Sequence, residues 1–332
     1  MNATSTWEQD AAPGGYRSTY YARKNEITTL EAEADMLTQQ IKQIKAEQGV
    51  MAAALHDNTL LRPSLQVNAW ALAEAQSVLT NRMAAQGVHP LATYIHLTAD
   101  PAQRQYTLQS LRDQKLRDAT EFLIRRTRFV DLCRSHRQVD TSEMPNGDVE
   151  VEQFVVIPFP GVSSVKIVYE GLGEALSNQQ FVVWEQLGAT SVSDFEGIAD
   201  KSIRLLRHVT KVAPGVEMEK NGVSFRQYYE KSDLVDGPYG LTVMDFVDQD
   251  ELHPYQPTSR VRLDVTSALM VCHSGDASVS FVRWTRSCIH RPHESINPHV
   301  VESLRDFIPR WAEATHKAIR EHVALTQRSR KT

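Results

Sequence analysis

Four strand-like segments followed by one long amphipathic helix constrain the fold of this chain more than any other feature. The segments cover residues 223–231, 239–247, 260–272 and 278–290. In the third segment, Leu263 and Val265 flank the polar Asp264, which is the period of two that sends successive side chains to opposite faces of a sheet. Turns at 235–238, 249–258 and 274–276 join these segments. Consecutive strands joined by turns predict an antiparallel meander.

A helical pattern closes this region. Apolar residues recur at helical spacing from near Ile296 to Val323. Pro309 lies inside the pattern and is expected to bend the helix, because proline removes one backbone hydrogen bond. Upstream, alternation over 149–157 predicts a first strand, and residues 165–176 have one apolar helical face.

Two further predictions concern the stretch between that helix and the meander. The apolar residues 181–187 and 202–212 are interpreted as two short strands. Asn221 and Gly222 form a dipeptide that is typical of hairpin turns. A turn at this dipeptide would start the next strand at Val223.

Composition and pattern divide the chain into six segments. These are a disordered tail (1–16), a coiled-coil helix (17–48), a linker with short helices (49–99), a long helix packing on the C-terminal domain (100–136), the C-terminal domain itself (137–325) and a basic tail (326–332). Asp100 is the predicted N-cap of the long helix, and Pro101 suits its first position because a proline there loses no helical hydrogen bond.

The helix over 17–48 has an apolar stripe typical of a dimerising coiled coil. Residues at spacings of three and four form the stripe: Ile27, Leu30, Ala34, Leu37, Ile41 and Ile44. Three heptads are near the minimum length for pairing, so association through this segment alone is expected to be weak. The alternative is an amphipathic helix packed on its own domain.

The residues before these heptads resemble the entry into a basic leucine zipper. In that family, an Asn and an Arg about two turns apart read bases upstream of the first zipper leucine. With Leu30 as that leucine, Tyr20 stands in place of the Arg and Ala12 in place of the Asn. Few basic residues remain for phosphate contacts. The resemblance therefore implies a zipper partner or a homodimer, and not sequence-specific DNA binding.

The order of elements resembles the START-like, helix-grip fold, of the α+β class. In that family a curved antiparallel sheet wraps a long C-terminal helix and leaves a cavity for a lipid or another hydrophobic molecule. The matching region is residues 137–325, and the pattern at 281–286 leading into the last helix contributes to the match. A zipper-like helix joined to such a domain resembles a group of eukaryotic microbial proteins.

The resemblance implies a cavity lined by the inner sheet face and the last helix. Apolarity alone selects the candidate lining residues: Tyr229, Val243, Asp245, Leu263, Val265, Phe281, Arg283 and Trp311. Arg283 and Asp245 are the most informative, since a charge on an apolar face needs a partner. They are expected to pair with each other or to orient a polar head of a ligand. The alternative is a filled core without a ligand.

Several classes of function are excluded or disfavoured. The net charge of −5 disfavours a general nucleic-acid binder, and three cysteines cannot form a disulfide framework, which suits the cytoplasm or nucleus. No run of about 18 apolar residues predicts a membrane span. Cys288, His290, His293 and His299 lack zinc-site spacing, and Pro292 and Pro298 predict a surface loop for the histidines. No metal, cofactor or catalytic motif is predicted.

Three hypotheses follow for the function of this chain. The first is non-enzymatic binding of a lipid or other hydrophobic molecule, with a self-associating N-terminal helix. The alternative is an interaction or transcription-associated regulator that uses the domain as a scaffold, and an enzyme acting on a small molecule is the third. A cavity below about 150 Å3 would argue against the first, because sites for drug-sized ligands occupy about 300–1,000 Å3.

Overall fold

The structure is a computed structural model that describes residues 23–47, separate positions between 49 and 71, and residues 91–329 apart from 197, 199, 276–277 and 291–297. The predicted tail 1–16 and most of the predicted linker lie outside these residues. The chain divides into two compact units, Met1–Asn68 and Ala69–Thr332. Among the described residues, no helix combines the length and the apolar character needed to cross a bilayer.

In the first unit, residues 23–47 form one helix, α1. Its predicted heptad residues all lie on the surface, and the large ones among them, such as Leu30 and Leu37, are 49% to 57% exposed. Thr28 and Thr38 donate hydrogen bonds to carbonyls one turn earlier, so their hydroxyls are satisfied within the helix. The helix is present as predicted, while its pairing stays a prediction.

The second unit is built on an eight-stranded sheet. Its elements in chain order are β1 (His96–Leu97), α2 (Pro101–Thr127), β2 (His136–Glu143), β3 (Val149–Pro160), α3 (Val165–Ser177), α4 (Gln179–Leu187), β4 (Ser191–Glu196), β5 (Ile203–Ala213), β6 (Val216–Tyr229), β7 (Tyr239–Phe246), β8 (Gln249–Asp250), β9 (Arg260–Gly275), β10 (Ser278–His290) and α5 (Pro298–Ser329). The strand order in the large sheet is β2-β3-β10-β9-β7-β6-β5-β4. The short strands β1 and β8 form a separate parallel pair.

The sheet closes more tightly at one end. The strand β7 lies between residues 222–229 of β6 and residues 267–272 of β9, and it ends at Phe246. Beyond that end, residues 217–219 of β6 pair directly with residues 260–262 of β9. Two strands that were two spacings apart thereby become neighbours, which bends the sheet.

The predicted hairpin turn at Asn221 and Gly222 is wrong, because both residues lie inside β6. The turn occurs at Pro214 and Gly215, where Gly215 has φ of 75°. Gly222 is needed for a different reason, since a Cβ there would stand 2.8 Å from the carbonyl oxygen of Asp245. Asn221 donates from Nδ2 to Asp250 at 3.1 Å.

The predicted strand at 181–187 is also wrong, because these residues belong to α4. A short apolar run does not distinguish a strand from a buried helix. The signal for a helix is Gly188, which follows the last turn in the left-handed conformation with φ of 67°. Two strands of the large sheet, β2 and β4, were not predicted, and both lie at its edges. The short pair β1 and β8 was not predicted either.

Helices cover both faces of the sheet. On one face, α2 packs against β6, β7 and β9. Its predicted start is confirmed: Asp100 accepts a hydrogen bond from the Gln103 amide at 2.8 Å, and Pro101 is the first helical residue. Its predicted end at residue 136 is wrong, because the helix ends at Thr127 and His136 begins β2. The other face carries α3, α4 and α5. Because both faces are buried, apolar residues occupy both sides of the central strands.

The closing helix α5 begins near the predicted position and contains Pro309. It packs mainly on α3 and α4, and Leu304, Ile308 and Ile319 are among its buried residues. The helix continues through Arg328 to Ser329. The described part of the predicted basic tail is therefore helical.

Candidate ligand-binding cavity

A cavity of about 70 Å3 lies between α5 and the sheet face that this helix covers. Its apolar wall consists of Leu176, Met244, Leu263, Val265, Leu269, Ile308, Trp311 and Ala312. Its polar wall consists of Gln153, Gln179, Lys220, Ser267, Arg283, Thr285, Ser287 and Thr315. The volume suffices for a few water molecules and lies below the threshold of about 150 Å3 given above, so the cavity in this form argues against binding of a drug-sized ligand.

Trp311 forms the aromatic part of the wall and comes from the middle of α5. Its ring packs edge-on against Phe307, with ring centroids 5.6 Å apart, and against His208 of β5 at 6.2 Å. Phe307 and Trp311 are four residues apart and therefore lie on one face of the helix. The helix thus presents an aromatic surface to the cavity.

Arg283 reaches the cavity from β10. In the sheet it stands opposite Val155 of β3 and Leu269 of β9. Its Nη2 donates to the side-chain oxygen of Gln153 at 2.6 Å, while its buried Nε has no acceptor. Burial and the nearby Arg137 lower the pKa of the Arg283 guanidinium to about 9, although Glu313 opposes the shift.

Lys220 reaches the cavity from β6. It stands opposite His208 of β5, and its ammonium group lies 5.6 Å from the ring centroid of Trp311. Burial lowers the pKa of Lys220 to about 8. Burial and the neighbouring Lys220 together lower the pKa of His208 to about 3, so this imidazole is neutral at physiological pH. The region is positive without a compensating carboxylate among the described residues.

Four of the eight residues selected from the sequence line the cavity: Leu263, Val265, Arg283 and Trp311. Phe281 lies on the same sheet face, in the adjoining core against α3, with its ring 5.5 Å from that of His316. Whether the four lining residues contact a ligand stays a prediction.

The prediction that Tyr229, Val243 and Asp245 line the cavity is wrong, because these residues lie on the opposite sheet face. Tyr229 stacks on Tyr239 with ring centroids 4.6 Å apart, and Val243 belongs to the core beneath α2. Asp245 binds Lys115 of α2 and accepts from the Thr266 hydroxyl at 2.7 Å. The expected pairing of Asp245 with Arg283 is therefore wrong. Apolarity could not select the inner face, since helices bury both.

Lys220, Gln153 and Gln179 were missed by the sequence reasoning. Lys220 lies just before the incorrectly predicted turn at 221–222, which started the predicted strand at Val223 and so left the lysine outside it. Extending the alternation backwards from Ser224 through Lys220 to Met218 would have placed the lysine on a buried sheet face. For Gln153, the alternation of 149–157 carried the signal, because it is a polar residue between Val151 and Val155.

A second polar cluster surrounds His290, which was expected in a surface loop but ends β10. Its Nδ1 lies 2.8 Å from Asp148 and its Nε2 lies 2.7 Å from Asp264. The hydrogen bonds with Asp264 and Cys288 raise the pKa of His290 to about 10. Asp148, Cys288 and His290 offer ligand atoms within 4.8 Å of one another. An imidazolium bound by two carboxylates accounts for this grouping without a metal, and His293 lies outside the described residues.

No family model and no curated protein matches this sequence. Among solved structures, the chain resembles human STARD10, with 12% identity, coverage of 65% of this chain and 82% of that chain, and a TM-score of 0.39. It also resembles the human StarD13 lipid transfer and protein localization domain, with 15% identity, coverage of 57% and 90%, and a TM-score of 0.33. The Zhui aromatase/cyclase from Streptomyces sp. R1128 has 11% identity, coverage of 52% and 94%, and a TM-score of 0.32.

These TM-scores are too low to support an argument about function. The class of protein follows from the chain itself: a large antiparallel sheet with a long C-terminal helix on one face defines a START-like helix-grip fold, as predicted. A fold of this kind occurs in proteins with unrelated functions, so the function depends on the residues of the cavity.

Proposed function

We propose that this chain binds a hydrophobic small molecule or lipid in the cavity under α5, without transforming it. The observation that carries the proposal is the set of buried polar atoms without a partner around a half-apolar cavity. They are Nε2 of Gln153, Oε1 of Gln179 and Nε of Arg283. Buried polar groups are normally hydrogen-bonded, so three such atoms at one cavity favour an additional molecule there.

The size of the cavity requires that it enlarge on binding. At about 70 Å3 it admits only a few heavy atoms of a ligand. Much of its wall consists of long side chains, including Met244, Gln179 and Lys220. Rotamer changes of these side chains enlarge the cavity without backbone movement. Enlargement by a shift of α5 would also move Ile308 and Trp311 away from the sheet residues with which they pack.

The arrangement of hydroxyls in the wall supports binding over catalysis. Ser267 donates to Thr285 at 2.8 Å, and Thr315 donates to the Trp311 carbonyl at 3.1 Å. Each of these hydroxyl protons is therefore held by an oxygen that is not a strong base. A hydroxyl nucleophile needs an adjacent general base within hydrogen-bond reach, and neither of these two hydroxyls has one among the described wall residues. Lys220 is different, because burial lowers its pKa to about 8, and it is the wall residue that favours the alternative of an enzyme.

Filling the cavity is expected to abolish binding of a neutral hydrophobic probe. Ala312 lines the cavity, so Ala312→Leu places extra methyl groups where the ligand would lie. We expect the affinity for decanol, measured by titration calorimetry, to fall about tenfold or more, equivalent to about 1.4 kcal/mol. The control is Ala324→Leu, at an exposed position of the same helix. Equal decanol binding by wild type and Ala312→Leu would contradict the proposal.

We further propose that α1 associates with α1 of a second copy of the chain. The apolar stripe of this helix is exposed, and its spacing is that of a coiled-coil seam. The alternative, a different zipper partner recruited by a regulatory protein, uses the same stripe. In both cases α1 makes the contact with the partner, and the chain joins α1 to the domain that contains the cavity.

The substitution Leu37→Glu is expected to disrupt this association. Burying one leucine contributes about 1.5–3 kcal/mol, so we expect the dimer dissociation constant to rise about tenfold or more. Analytical ultracentrifugation over a concentration series measures it. Gln39→Glu adds the same charge elsewhere on the helix and serves as control. A wild-type chain that stays monomeric throughout the series would rule out self-association and leave the partner alternative.

A further inference from the structure

The sheet face under α5 carries an unusual distribution of charge. Within the described strands β3, β5, β6, β7, β9 and β10, every position facing α5 lacks Asp and Glu. The same positions include four cationic residues: Arg204, Lys220, Arg226 and Arg283. This face is therefore positive and buried at the same time.

On the opposite sheet face, toward α2, buried cations are paired with carboxylates. There, Lys115 pairs with Asp245, Arg104 with Asp250 and Arg126 with Glu152 across the interface with α2. A buried charge without a partner costs several kcal/mol, which is why such charges are normally paired. Lys220 and Arg283 thus depart from a rule that this same sheet follows on its other side.

The partners of the two cations within the chain are weak or neutral. Lys220 has only the Trp311 ring within cation–π distance among the described residues, and Arg283 has the neutral amide of Gln153. The carboxylate that acts on Arg283 is Glu313 of α5, which binds Arg137 and is half-exposed. Two cations around one cavity therefore offer donors without an anionic acceptor.

We propose that the bound molecule is an amphiphile whose anionic head group, a carboxylate or a phosphate, binds Lys220 and Arg283 while its apolar part lies against the wall formed by Leu263, Val265 and Trp311. This inference rests on the proposed function, and it specifies the chemistry of the ligand. The anion supplies acceptors to the ammonium group, to Nε of Arg283 and to the amide of Gln153, so that the donors at this end of the cavity become satisfied.

Matched ligands test the head group with the full-length chain. Decanoate, decyl phosphate and decanol share one alkyl chain, and inorganic phosphate has none. Since hydrogen bonds to charged groups contribute more than neutral ones, we expect calorimetry to show that one of the two anionic amphiphiles binds about tenfold or more tightly than decanol. The tighter of the two anions distinguishes a carboxylate from a phosphate ligand.

Variants test the residues. We expect Lys220→Met and Arg283→Met each to lower the affinity for the preferred anion about tenfold or more, while decanol binding changes less than about twofold. Lys211→Met and Arg305→Met, at exposed positions of β5 and α5, are the matched controls. Lys220→Gln replaces Lys220→Met if the latter does not fold. In the unliganded state, the melting temperature of Lys220→Met is expected to equal or exceed that of wild type, because an unpaired buried charge is removed.

A pH series adds a readout that a structural role would not affect. Because the pKa of Lys220 is about 8 and that of Arg283 is about 9, the affinity for the anion is expected to fall about tenfold or more from pH 7 to pH 9, and only about twofold in Lys220→Met, where Arg283 alone titrates. The groups facing the two cations are His208 on β5, Arg137 on β2, and Glu313 and His316 on α5. Burial lowers the pKa of His316 to about 2, so neither histidine gains a proton in this range.

The outcomes separate this inference from the proposed function. If decanol binds as tightly as both anionic amphiphiles, the hydrophobic site stands and the anionic head group is rejected. If inorganic phosphate binds as tightly as decyl phosphate, and Lys220→Met abolishes both, the anion site stands and the hydrophobic ligand is rejected. If none of the four binds, both are rejected.

Discussion

Replacing Lys115 with methionine is expected to lower the free energy of unfolding by about 3–5 kcal/mol, the cost of leaving a buried charge without its partner. Lys115 is buried on α2 and donates to Asp245 and to the Leu91 carbonyl. Burial already raises the pKa of Asp245, while Lys115 and Thr266 act against that shift. Without Lys115, the carboxyl group either becomes neutral or stays ionised at high cost.

Urea unfolding of three variants checks this expectation. The double variant Lys115→Met/Asp245→Leu removes both charges and is expected to recover much of the lost stability, because apolar replacements of a buried pair are often neutral or stabilising. Arg117→Met, at an exposed position on the same helix, is the control. A double variant no more stable than Lys115→Met alone would show that the pair is not coupled as described.

Replacing Asp250 with leucine is expected to destabilise the fold by about 3–5 kcal/mol as well. Its two oxygens accept from Arg104 at 2.7 and 3.2 Å, and from Asn221 at 3.1 Å. The same carboxylate also accepts from the backbone amides of Leu252 and His253 at 3.1 and 3.2 Å. One residue therefore connects the start of α2, the loop after β8 and the middle of β6.

The contribution of Asp250 is expected to depend on pH in a defined direction. Burial opposes its ionisation, but hydrogen bonds from Arg104 and Asn221 outweigh this and lower its pKa below 3.8. A carboxyl group with a lowered folded-state pKa stabilises the protein above its unfolded-state pKa, and this stability is lost as the pH falls through the folded-state value. The difference in the free energy of unfolding between wild type and Asp250→Leu is thus expected to be largest at pH 7 and to shrink below about pH 3.8.

Unfolding curves at pH 7 and at acidic pH measure this difference, with Asp233→Leu at an exposed position as the control. If the difference in the free energy of unfolding stayed constant with pH, the lower stability of Asp250→Leu would come from altered packing and not from the lost carboxylate.

The two faces of the sheet thus use buried charge in different ways. Toward α2, each cation has a carboxylate, as with Lys115 and Arg104, and these pairs hold the helix to the sheet. Toward α5, Lys220 and Arg283 have only neutral partners among the described residues. Proteins commonly retain destabilising groups where function needs them. This asymmetry distinguishes the cavity from the rest of the core.

Much of the fold could be predicted from local pattern. The four strands of the meander, the first strand at 149–157 and the closing helix all correspond to observed elements, because alternation and helical spacing directly reflect which side chains are buried. The start of α2 was predicted to the residue, since Asp100 and Pro101 act through their own backbone and side chain. Such signals do not depend on distant parts of the chain.

The errors occurred where distant residues decide the outcome. The dipeptide Asn221-Gly222 suits a turn locally, but Asp250 and the close approach of β7 give it a place inside a strand. The run at 181–187 is apolar in either conformation. For the candidate site, three of the eight selected residues lie on the opposite sheet face, because a strand covered on both sides is apolar on both sides.

The sequence by itself determined the alternation of the strands, the long last helix and the apolar stripe of α1, because residue spacing decides which side chains share one face of an element. Only the tertiary structure decided which sheet face meets α5, and which buried charges find partners. An alternating strand has the same pattern whichever face turns inward, so its orientation depends on the helices that cover it. That orientation places Asp245 against Lys115 and leaves Lys220 and Arg283 at the cavity without a carboxylate among the described residues.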